Sequence, residues 1–287
     1  MKLAAVLLVV ATTGCTKSTA PTTPSGDLES RVAALEAQNK KYAEALEFLD
    51  TAYKQQKSAQ QREEEAKLDP DGVFAVDVGG DVAAGQVDGP ATARVTVVKA
   101  FDFACPYCWK TNDTMKELVK DNGGEVRVVY KNMVVHATAM KAHLGSCAAA
   151  KQGKYLAFKD AFWEQGFAPY YEERDEAKLG EANIVAIAKS IGLDVGKFVV
   201  DMGGEACKQQ IDADMADLAK FEVSATPTFF VNGTVVSGAM PKDDFQALID
   251  VKLTIAKASG VAGADYYAKE VIGKGEKTFR NAKTPKP

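Results

Sequence analysis

Cysteine and histidine are scarce in this chain, which has five and two of them among 287 residues. Five cysteines are too few for a disulfide framework that would stabilise a chain of this length, so the role of each cysteine is considered separately. Two histidines leave little material for a histidine-rich metal site, and we expect no metal. The net charge of -4 lacks the basic excess typical of nucleic-acid-binding domains, so no nucleic-acid partner is expected.

The sequence also lacks the long apolar runs of a multi-span membrane protein. Its N-terminal run, residues 3–11, follows Lys2 and is far shorter than the ~20 residues that span a bilayer as a helix. A basic residue before a short apolar run is typical of an export signal, which we assign to residues 1–14. Export would bring the chain into a compartment where disulfides are permitted.

The signal ends at Gly14-Cys15, which resembles the lipobox of bacterial lipoproteins. The resemblance implies cleavage before Cys15, a lipid on that cysteine, and a periplasmic protein anchored to a bacterial membrane. Thr12 departs from the leucine that the family prefers at its position. Ordinary cleavage at residues 18–20, which leaves a soluble protein, is therefore an alternative.

A helical stalk is predicted at residues 27–69, after a flexible Thr/Ser/Pro linker at residues 15–26. Residues 27–68 contain no proline or glycine, and their apolar residues recur at alternating spacings of four and three. This is a heptad seam with Asn39 at one core position, a polar residue of the kind that sets the register of coiled coils. The apolar seam residues are Leu28, Val32, Leu35, Tyr42, Leu46, Leu49 and Tyr53.

Two roles fit this helix. One is a self-associating coiled-coil stalk, which would make the protein a homo-oligomer through residues 27–60. The other is a single amphipathic helix that lies on its own domain. The flexible linker before the helix and Asp69-Pro70-Asp71-Gly72 after it isolate the segment, and this favours the stalk.

An α/β domain is predicted at residues 70–262, because β-rich segments alternate with helical ones. Asn232-Gly233 is the favoured two-residue turn of a β-hairpin. A surface tail is predicted at residues 263–287, disordered from Gly273. The predicted elements are strands at 73–78, 93–101 and 125–135, a helix at 106–121, a helical stretch at about 138–220, hairpin strands at 228–231 and 234–236, and a helix at about 241–259.

The chemistry is predicted at Cys105-Pro106-Tyr107-Cys108, where a β-rich segment ends and a helix begins. A cysteine at a helix N-terminus meets unpaired backbone N–H groups and the positive end of the helix dipole, and both favour its thiolate. Cys105 is therefore the predicted nucleophile. Cys108 lies one turn later and resolves the mixed disulfide that Cys105 forms. No cofactor is expected beyond the redox-active Cys105–Cys108 disulfide.

Three stretches resemble the DsbA-like family of exported thiol–disulfide oxidoreductases. They are FDFACPYCW at 101–109, CAAAKQGKY at 147–155 and VSATPTFFVNG at 223–233. The resemblance covers about residues 71–262 and implies an α/β thioredoxin fold with a helical insertion, here preceded by the long helix. It also implies a cis peptide at Thr226-Pro227 that faces the active site. Thr226 and Pro227 would then bind substrate, together with Pro106 and Tyr107.

One position departs from the family pattern. In the family an acidic residue usually lies on the strand, six positions before the first cysteine, and assists deprotonation of the second. Lys99 stands there in this chain. Either Lys99 points to solvent and Asp102 replaces the acid, or the proton moves through water. A buried Lys99 would favour thiolates and a more oxidising pair, so Lys99 and Asp102 are candidate modulators.

Cys147 and Cys207 remain, and both lie in the predicted helical insertion. Two leftover cysteines in one subdomain of an exported protein fit a structural disulfide. Free buried thiols are the alternative.

The sequence thus predicts an enzyme, a thiol–disulfide oxidoreductase or protein disulfide isomerase acting on cysteines of other exported proteins. It would exchange with a membrane or periplasmic redox partner. An oxidase and an oligomeric isomerase both fit, since known isomerases of the superfamily tend to be oligomers and the stalk would supply the association. The alternative is a non-catalytic peptide-binding or structural lipoprotein that uses the stalk as its interaction module.

Replacing Lys99 tests its predicted influence on the dithiol. We expect Lys99→Glu to change the pKa of Cys105, because it exchanges a positive for a negative charge near the thiolate. The ultraviolet absorbance of the thiolate in the reduced protein, followed across pH, measures this pKa. An unchanged value contradicts the role of Lys99.

Overall fold

The structure is a computed structural model that describes residues 25–65 and 67–283, with side chains from Leu28 onward. The predicted signal peptide, most of the predicted linker and Cys15 lie outside the described residues. The chain divides into two units, Met1–Gln61 and Arg62–Pro287.

The described part of the first unit is helical and belongs to α1, which runs from Ser25 to Glu65. The helix begins two residues before the predicted start and ends before the predicted residue 69. The apolar side chains of the predicted seam are all exposed, from 47% at Tyr42 to 63% at Tyr53. Among the described residues, no helix combines the length and apolar character needed to cross a membrane.

The second unit contains a five-stranded mixed sheet and the remaining helices. Its strands are β1 (Val87–Asp88), β2 (Val95–Phe101), β3 (Val126–Asn132), β4 (Thr228–Val231) and β5 (Thr234–Ser237). Its helices are α2 (Gly79–Ala83), α3 (Pro106–Asp121), α4 (Met140–Ala150), α5 (Tyr155–Phe162), α6 (Ala168–Glu173), α7 (Glu181–Ser190), α8 (Val195–Met202), α9 (Glu205–Ala219), α10 (Lys242–Ala258) and α11 (Gly263–Tyr266). Short 3-10 or π turns occupy Ala137–Ala139, Trp163–Phe167, Glu176–Leu179 and Tyr267–Ile272.

The strands lie in the order β1-β3-β2-β4-β5. Strands β2 and β3 are parallel and are connected by α3, whereas the other pairs are antiparallel. Helices α4 to α9 lie between β3 and β4 in the chain, where the sequence predicts the helical insertion. The predicted α/β fold with its insertion and preceding helix is therefore confirmed.

Every residue of the central strand β2 is buried. Side chains alternate between the two faces of a strand, and accordingly Val97 and Phe101 join the core that contains Cys108, while Val98 and Ala100 join the core on the other face. Lys99 is in phase with Val97 and Phe101. Its side chain therefore faces the core that contains Cys108.

The Asn232-Gly233 turn attaches the hairpin to the start of β2. Both turn residues have positive φ, 43° and 84°, as the tight turn between β4 and β5 requires. The Asn232 side chain accepts a hydrogen bond from Thr96 N–H at 2.8 Å and donates one to the Arg94 carbonyl at 3.0 Å. The turn therefore helps to set the position of β4, which the segment containing Pro227 precedes.

The structure differs from the predicted strand at residues 73–78. Phe74 forms only an isolated bridge, with Glu276. The Phe74 N–H donates to the Gly233 carbonyl, and the Ala75 N–H donates to the Glu276 carbonyl. The segment is buried, as its apolar residues suggested, but a turn and the C-terminal segment supply its hydrogen-bond partners.

The structure also differs from the predicted tail at residues 263–287. In the described part of that segment, Tyr267 is buried and its hydroxyl donates to the Val76 carbonyl at 2.8 Å. Arg280 forms a buried ion pair with Asp69, and each side chain is 7% exposed. The segment is rich in lysine, but its few apolar residues cover the core that contains Phe74.

The Arg280–Asp69 pair gives a stability test of this C-terminal segment. We expect Arg280→Ala to lower the free energy of unfolding by ~3–5 kcal/mol, because it leaves a buried carboxylate without its partner. Urea unfolding measures the change. Lys283→Ala is the matched control, since Lys283 is 55% exposed, and it should change stability by less than ~1 kcal/mol. Equal midpoints for the two variants would show that the buried Arg280–Asp69 pair does not stabilise the domain.

Candidate active site

Cys105 is the N-cap residue of α3, directly after the loop that follows β2. Its backbone is extended, with φ -90° and ψ 119°, and Pro106 occupies the first turn of the helix. Proline suits this place because a helix leaves its first N–H groups unpaired. Cys105 is 4% exposed and Cys108 is fully buried, and both thiols are free.

The two thiols differ strongly in acidity. A hydrogen bond from the Cys108 thiol to the Cys105 thiolate is the largest influence on Cys105 and lowers its pKa. Burial opposes this, but the Thr226 side chain and the N–H groups of α3 also support the thiolate, and the pKa of Cys105 falls to about 5. Burial raises the pKa of Cys108 well above its usual value. At neutral pH Cys105 is therefore a thiolate, the form that attacks disulfides, while Cys108 remains a thiol.

The loop before β4 lies against Cys105. Thr226-Pro227 is a cis peptide, and Cys105 Sγ lies 3.3 Å from the Thr226 carbonyl oxygen. Tyr107, predicted to bind substrate, is 57% exposed beside the dithiol. The structure thus brings the predicted substrate-binding residues of α3 and of the loop before β4 to the same reactive sulfur.

Asp102 has a structural use that the sequence did not indicate. Its buried carboxylate accepts a hydrogen bond from the N–H of Ala104 at 2.6 Å. Its other oxygen accepts bonds from the N–H groups of Val135 and His136, at 2.6 and 2.7 Å. Asp102 therefore joins the loops that follow the parallel strands β2 and β3, and it holds the chain just before Cys105.

Lys99 does not point to solvent, which was one of the alternatives left by the sequence. It is 1% exposed, and its Nζ donates to the Cys108 carbonyl oxygen at 3.0 Å. The Phe229 ring lies 5.9 Å from the ammonium. Burial lowers the pKa of Lys99 to about 7. Since Asp102 binds backbone N–H groups, it does not take the place of an acid beneath the dithiol.

His143 supports the active-site loop from α4, and the sequence analysis did not assign it a role. Its buried Nε2 accepts a hydrogen bond from the Phe103 N–H at 3.3 Å, and its Nδ1 donates to Asn132 Oδ1 at 2.8 Å. Burial lowers the pKa of His143 to about 4, so the ring is neutral. The Asn132 amide donates in turn to Asp214 Oδ2 at 2.6 Å. No local sequence pattern predicts this series of hydrogen-bond partners, because the partners come from separate elements of the fold.

Cys147 and Cys207 form a disulfide, one of the two alternatives left by the sequence. The bond joins α4, which carries His143, to α9, which carries Asp214. Each of the two helices thus contributes one polar side chain to the series of hydrogen bonds that leads to Phe103. The disulfide connects the two parts of the insertion that support the active-site loop.

A family model described as thioredoxin matches residues 81–251, well over half of the chain. The chain belongs to the thioredoxin family. The predicted family resemblance is confirmed at this level. The free dithiol at the start of α3 lies in this thioredoxin-family domain, at the position that the sequence predicts for the reactive pair.

Solved structures share the fold of this thioredoxin-family domain. BdbD from Bacillus subtilis in its oxidised form superposes with a TM-score of 0.52 at 23% identity, over 63% of this chain and 97% of that chain. A variant of alpha-DsbA1 from Wolbachia pipientis has a TM-score of 0.52 at 19% identity, over 61% of this chain and 94% of that chain. At these identities the likeness establishes the fold.

The curated relatives are longer proteins. A Na(+)/H(+) antiporter NhaA 3 from Salinispora tropica is 38% identical over 154 residues, which are 52% of this chain and 22% of that protein. The chain spans about a quarter of the length of the curated relatives it matches. Their names describe those whole proteins.

The hydrogen bond between the two thiols predicts how Cys105 responds to the loss of its partner. In the reduced protein, the rate of Cys105 alkylation should rise with pH and reach half its maximum near pH 5, because the thiolate is the reactive form. Cys108→Ala should shift this midpoint upward by roughly 1–2 pH units, as expected for losing a hydrogen bond to a charged group. The rate of iodoacetamide modification, followed by mass spectrometry, measures both midpoints.

A matched control comes from the same turn of α3. Thr111 donates to the carbonyl oxygens of Tyr107 and Cys108 and does not touch the Cys105 sulfur. Thr111→Val should therefore leave the midpoint near that of the wild type. A Cys108→Ala midpoint that stays near pH 5 would mean that the helix N-terminus and Thr226 acidify Cys105 without the Cys108 thiol.

Proposed function

We propose that this protein exchanges disulfides with cysteines of other exported proteins through Cys105-Pro106-Tyr107-Cys108. The observation that carries the proposal is the contact between Cys105 Sγ and the Thr226 carbonyl, 3.3 Å apart, in front of Pro227. An extended peptide can form backbone hydrogen bonds with groups of the protein beside the nucleophilic sulfur. Such pairing would bring a sulfur of the peptide close to Cys105. The substrate class is therefore a cysteine-containing polypeptide.

Each direction of the reaction balances without a cofactor. When the protein is reduced, the Cys105 thiolate attacks a substrate disulfide and one substrate sulfur leaves as a thiolate. Cys108 then loses its proton and attacks Cys105, and the second substrate sulfur leaves. When the protein is oxidised, a substrate thiolate attacks Cys105, and Cys108 leaves and takes up a proton. A second substrate thiolate then releases Cys105 as a thiolate.

The acidity of Cys105 supports an oxidising pair. Stabilisation of its thiolate favours the reduced protein, and a stabilised reduced form makes the corresponding disulfide a strong oxidant. This property suits an oxidase that donates its disulfide. It also suits an isomerase, because a stable thiolate at neutral pH attacks wrong disulfides readily.

Self-association through α1 is the second part of the proposal. The exposed apolar seam of α1, which includes Leu28, Leu35 and Leu46, would be covered when helices of two or more copies pack together. The heptad spacing makes the seam complementary to itself, and Asn39 would set the register. A homo-oligomer through residues 27–60 would bring several dithiols together, which favours isomerisation.

The place of action follows from the proposed signal and lipid. A lipid on Cys15 would anchor the protein to a bacterial membrane on the periplasmic side, where substrates and a membrane or periplasmic redox partner meet it.

Ribonuclease distinguishes the proposed activities. A soluble form, residues 16–287, is compared with the same form lacking residues 27–68. If the stalk assembles an isomerase, the first form reactivates scrambled ribonuclease and the second does not. If neither form reactivates it and both oxidise reduced ribonuclease quickly, the protein is an oxidase whose stalk serves as a spacer.

The Cys105→Ser variant is the control for both outcomes. It should abolish reactivation and oxidation, because it removes the attacking sulfur. A Cys105→Ser protein that fully replaces the wild type in cells would instead support a non-catalytic peptide-binding or structural lipoprotein.

A further inference from the structure

Lys99 is a buried amine held at the resolving cysteine. It comes from the central strand, where alternation turns its side chain toward the core that contains Cys108. Its Nζ donates to the Cys108 carbonyl at 3.0 Å. Among the described residues it forms no ion pair, so its charge is not neutralised by a carboxylate.

Cys108 poses a proton-transfer problem that Cys105 does not. The Cys108 thiol must lose a proton before it can attack Cys105, and the Cys108 thiolate must gain one when it leaves. Its side chain is fully buried, so bulk water does not reach it directly. Because burial also raises the pKa of Cys108, spontaneous ionisation at neutral pH is rare.

Three other buried titratable groups, Asp102, His143 and Lys159, are already engaged by hydrogen bonds. The Asp102 carboxylate accepts three backbone hydrogen bonds. Both ring nitrogens of His143 are bonded, one to Phe103 and one to Asn132. Lys159, the second buried lysine on this side, donates to Asn112 and Asp160 at 2.6 Å each. Among the described lysines, Lys99 is the one that forms a hydrogen bond with Cys108, through the Cys108 carbonyl oxygen.

We propose that Lys99 carries the proton of Cys108: as a neutral amine it accepts the proton of the Cys108 thiol, and as an ammonium it returns the proton to the leaving Cys108 thiolate. This inference rests on the proposed disulfide exchange. In the resolving step the N–H bond forms at Nζ as the S–H bond breaks. The Cys108–Cys105 bond then forms while the bond from Cys105 to the substrate breaks, and the substrate sulfur leaves as a thiolate.

The charges that face Lys99 suit a group that must change its protonation state. Burial lowers the pKa of Lys99 to about 7, so both forms are populated near neutral pH. A Cys108 or Cys105 thiolate and Asp113 raise the pKa of Lys99, whereas Lys159 lowers it. Once Cys105 is bonded to a substrate its negative charge is gone, so the amine becomes neutral more readily when a base is needed.

Reaction of the reduced full chain with 5,5′-dithiobis(2-nitrobenzoate) separates the two cysteines. Cys105 attacks the reagent and releases the first thionitrobenzoate, and Cys108 then attacks Cys105 and releases the second. The second phase does not depend on reagent concentration. Its rate in the wild type should rise with pH through about 7 and then level off, because the neutral amine is the base. Cys105→Ser supplies the baseline from any other thiol.

Two substitutions separate a proton carrier from a fixed charge. Lys99→Met removes both the charge and the base, and Lys99→Arg keeps a cation that does not give up its proton. We expect both to slow the second phase about 100-fold at neutral pH. In Lys99→Met the rate should also rise roughly tenfold per pH unit into the alkaline range, because only the ionisation of Cys108 itself remains.

Lys159→Met is the matched control, since it removes a buried lysine that does not contact Cys108. Its second phase should reach the wild-type plateau rate, with the midpoint of the pH profile shifted upward because Lys159 lowers the pKa of Lys99. The first phase of each Lys99 variant reports whether its active site is folded. If Lys99→Arg does not fold, the pH dependence of the second phase in Lys99→Met still tests whether Lys99 is the base.

Three results would overturn the inference. A Lys99→Met profile that still levels off above about pH 7 would exclude Lys99 as the base. A Lys99→Arg variant with the wild-type second phase would mean that a positive charge suffices. Equal loss in Lys159→Met would mean that burial of a cation matters rather than its contact with Cys108. A wild type that releases no thionitrobenzoate above the Cys105→Ser baseline would instead reject the proposed disulfide exchange itself.

Discussion

Strand β2 is covered on both faces, so none of its side chains reaches water whichever way it points. Alternation along the strand sends Val97, Lys99 and Phe101 toward one core and their neighbours toward the other. A lysine is therefore held in apolar surroundings with a carbonyl of the first turn of α3 as its hydrogen-bond acceptor. The end of the same strand determines where α3 begins, and hence where Cys105 lies.

The two thiols owe their different behaviour to where they lie on that helix. Cys105 is at its N-terminus and receives hydrogen bonds from Cys108, from Thr226 and from the first N–H groups. Cys108 is one turn inside and loses hydration without comparable compensation. Such an asymmetry gives one sulfur the role of nucleophile and the other the role of resolving thiol. The site thus depends on the position of the helix start, which is held by the hydrogen bonds of Asp102 and of His143 on α4 to the preceding loop.

The support of the site reaches well beyond the dithiol. Asp102 joins the loops after β2 and β3, and His143 connects Phe103 to Asn132 and onward to Asp214. The Cys147–Cys207 disulfide ties together the helices that carry His143 and Asp214. A thioredoxin-family domain with a helical insertion therefore uses the insertion to brace its active-site loop. The insertion thus supports the loop before the dithiol as well as covering the core.

Local patterns in the sequence determined the main elements and the reactive pair. The helix that starts at Pro106, the Asn232-Gly233 hairpin and the place of Cys105 at the helix N-terminus all follow from neighbouring residues, whose backbone preferences and helix-end effects act over a few positions. Tertiary structure alone decided that Lys99 is buried, that Asp102 binds backbone N–H groups, and that residues 263–283 pack on the core. The tertiary structure also determined that His143 and Asp214 support the loop before Cys105. Their partners lie 40 and 82 residues away in the chain, and only packing brings such groups together.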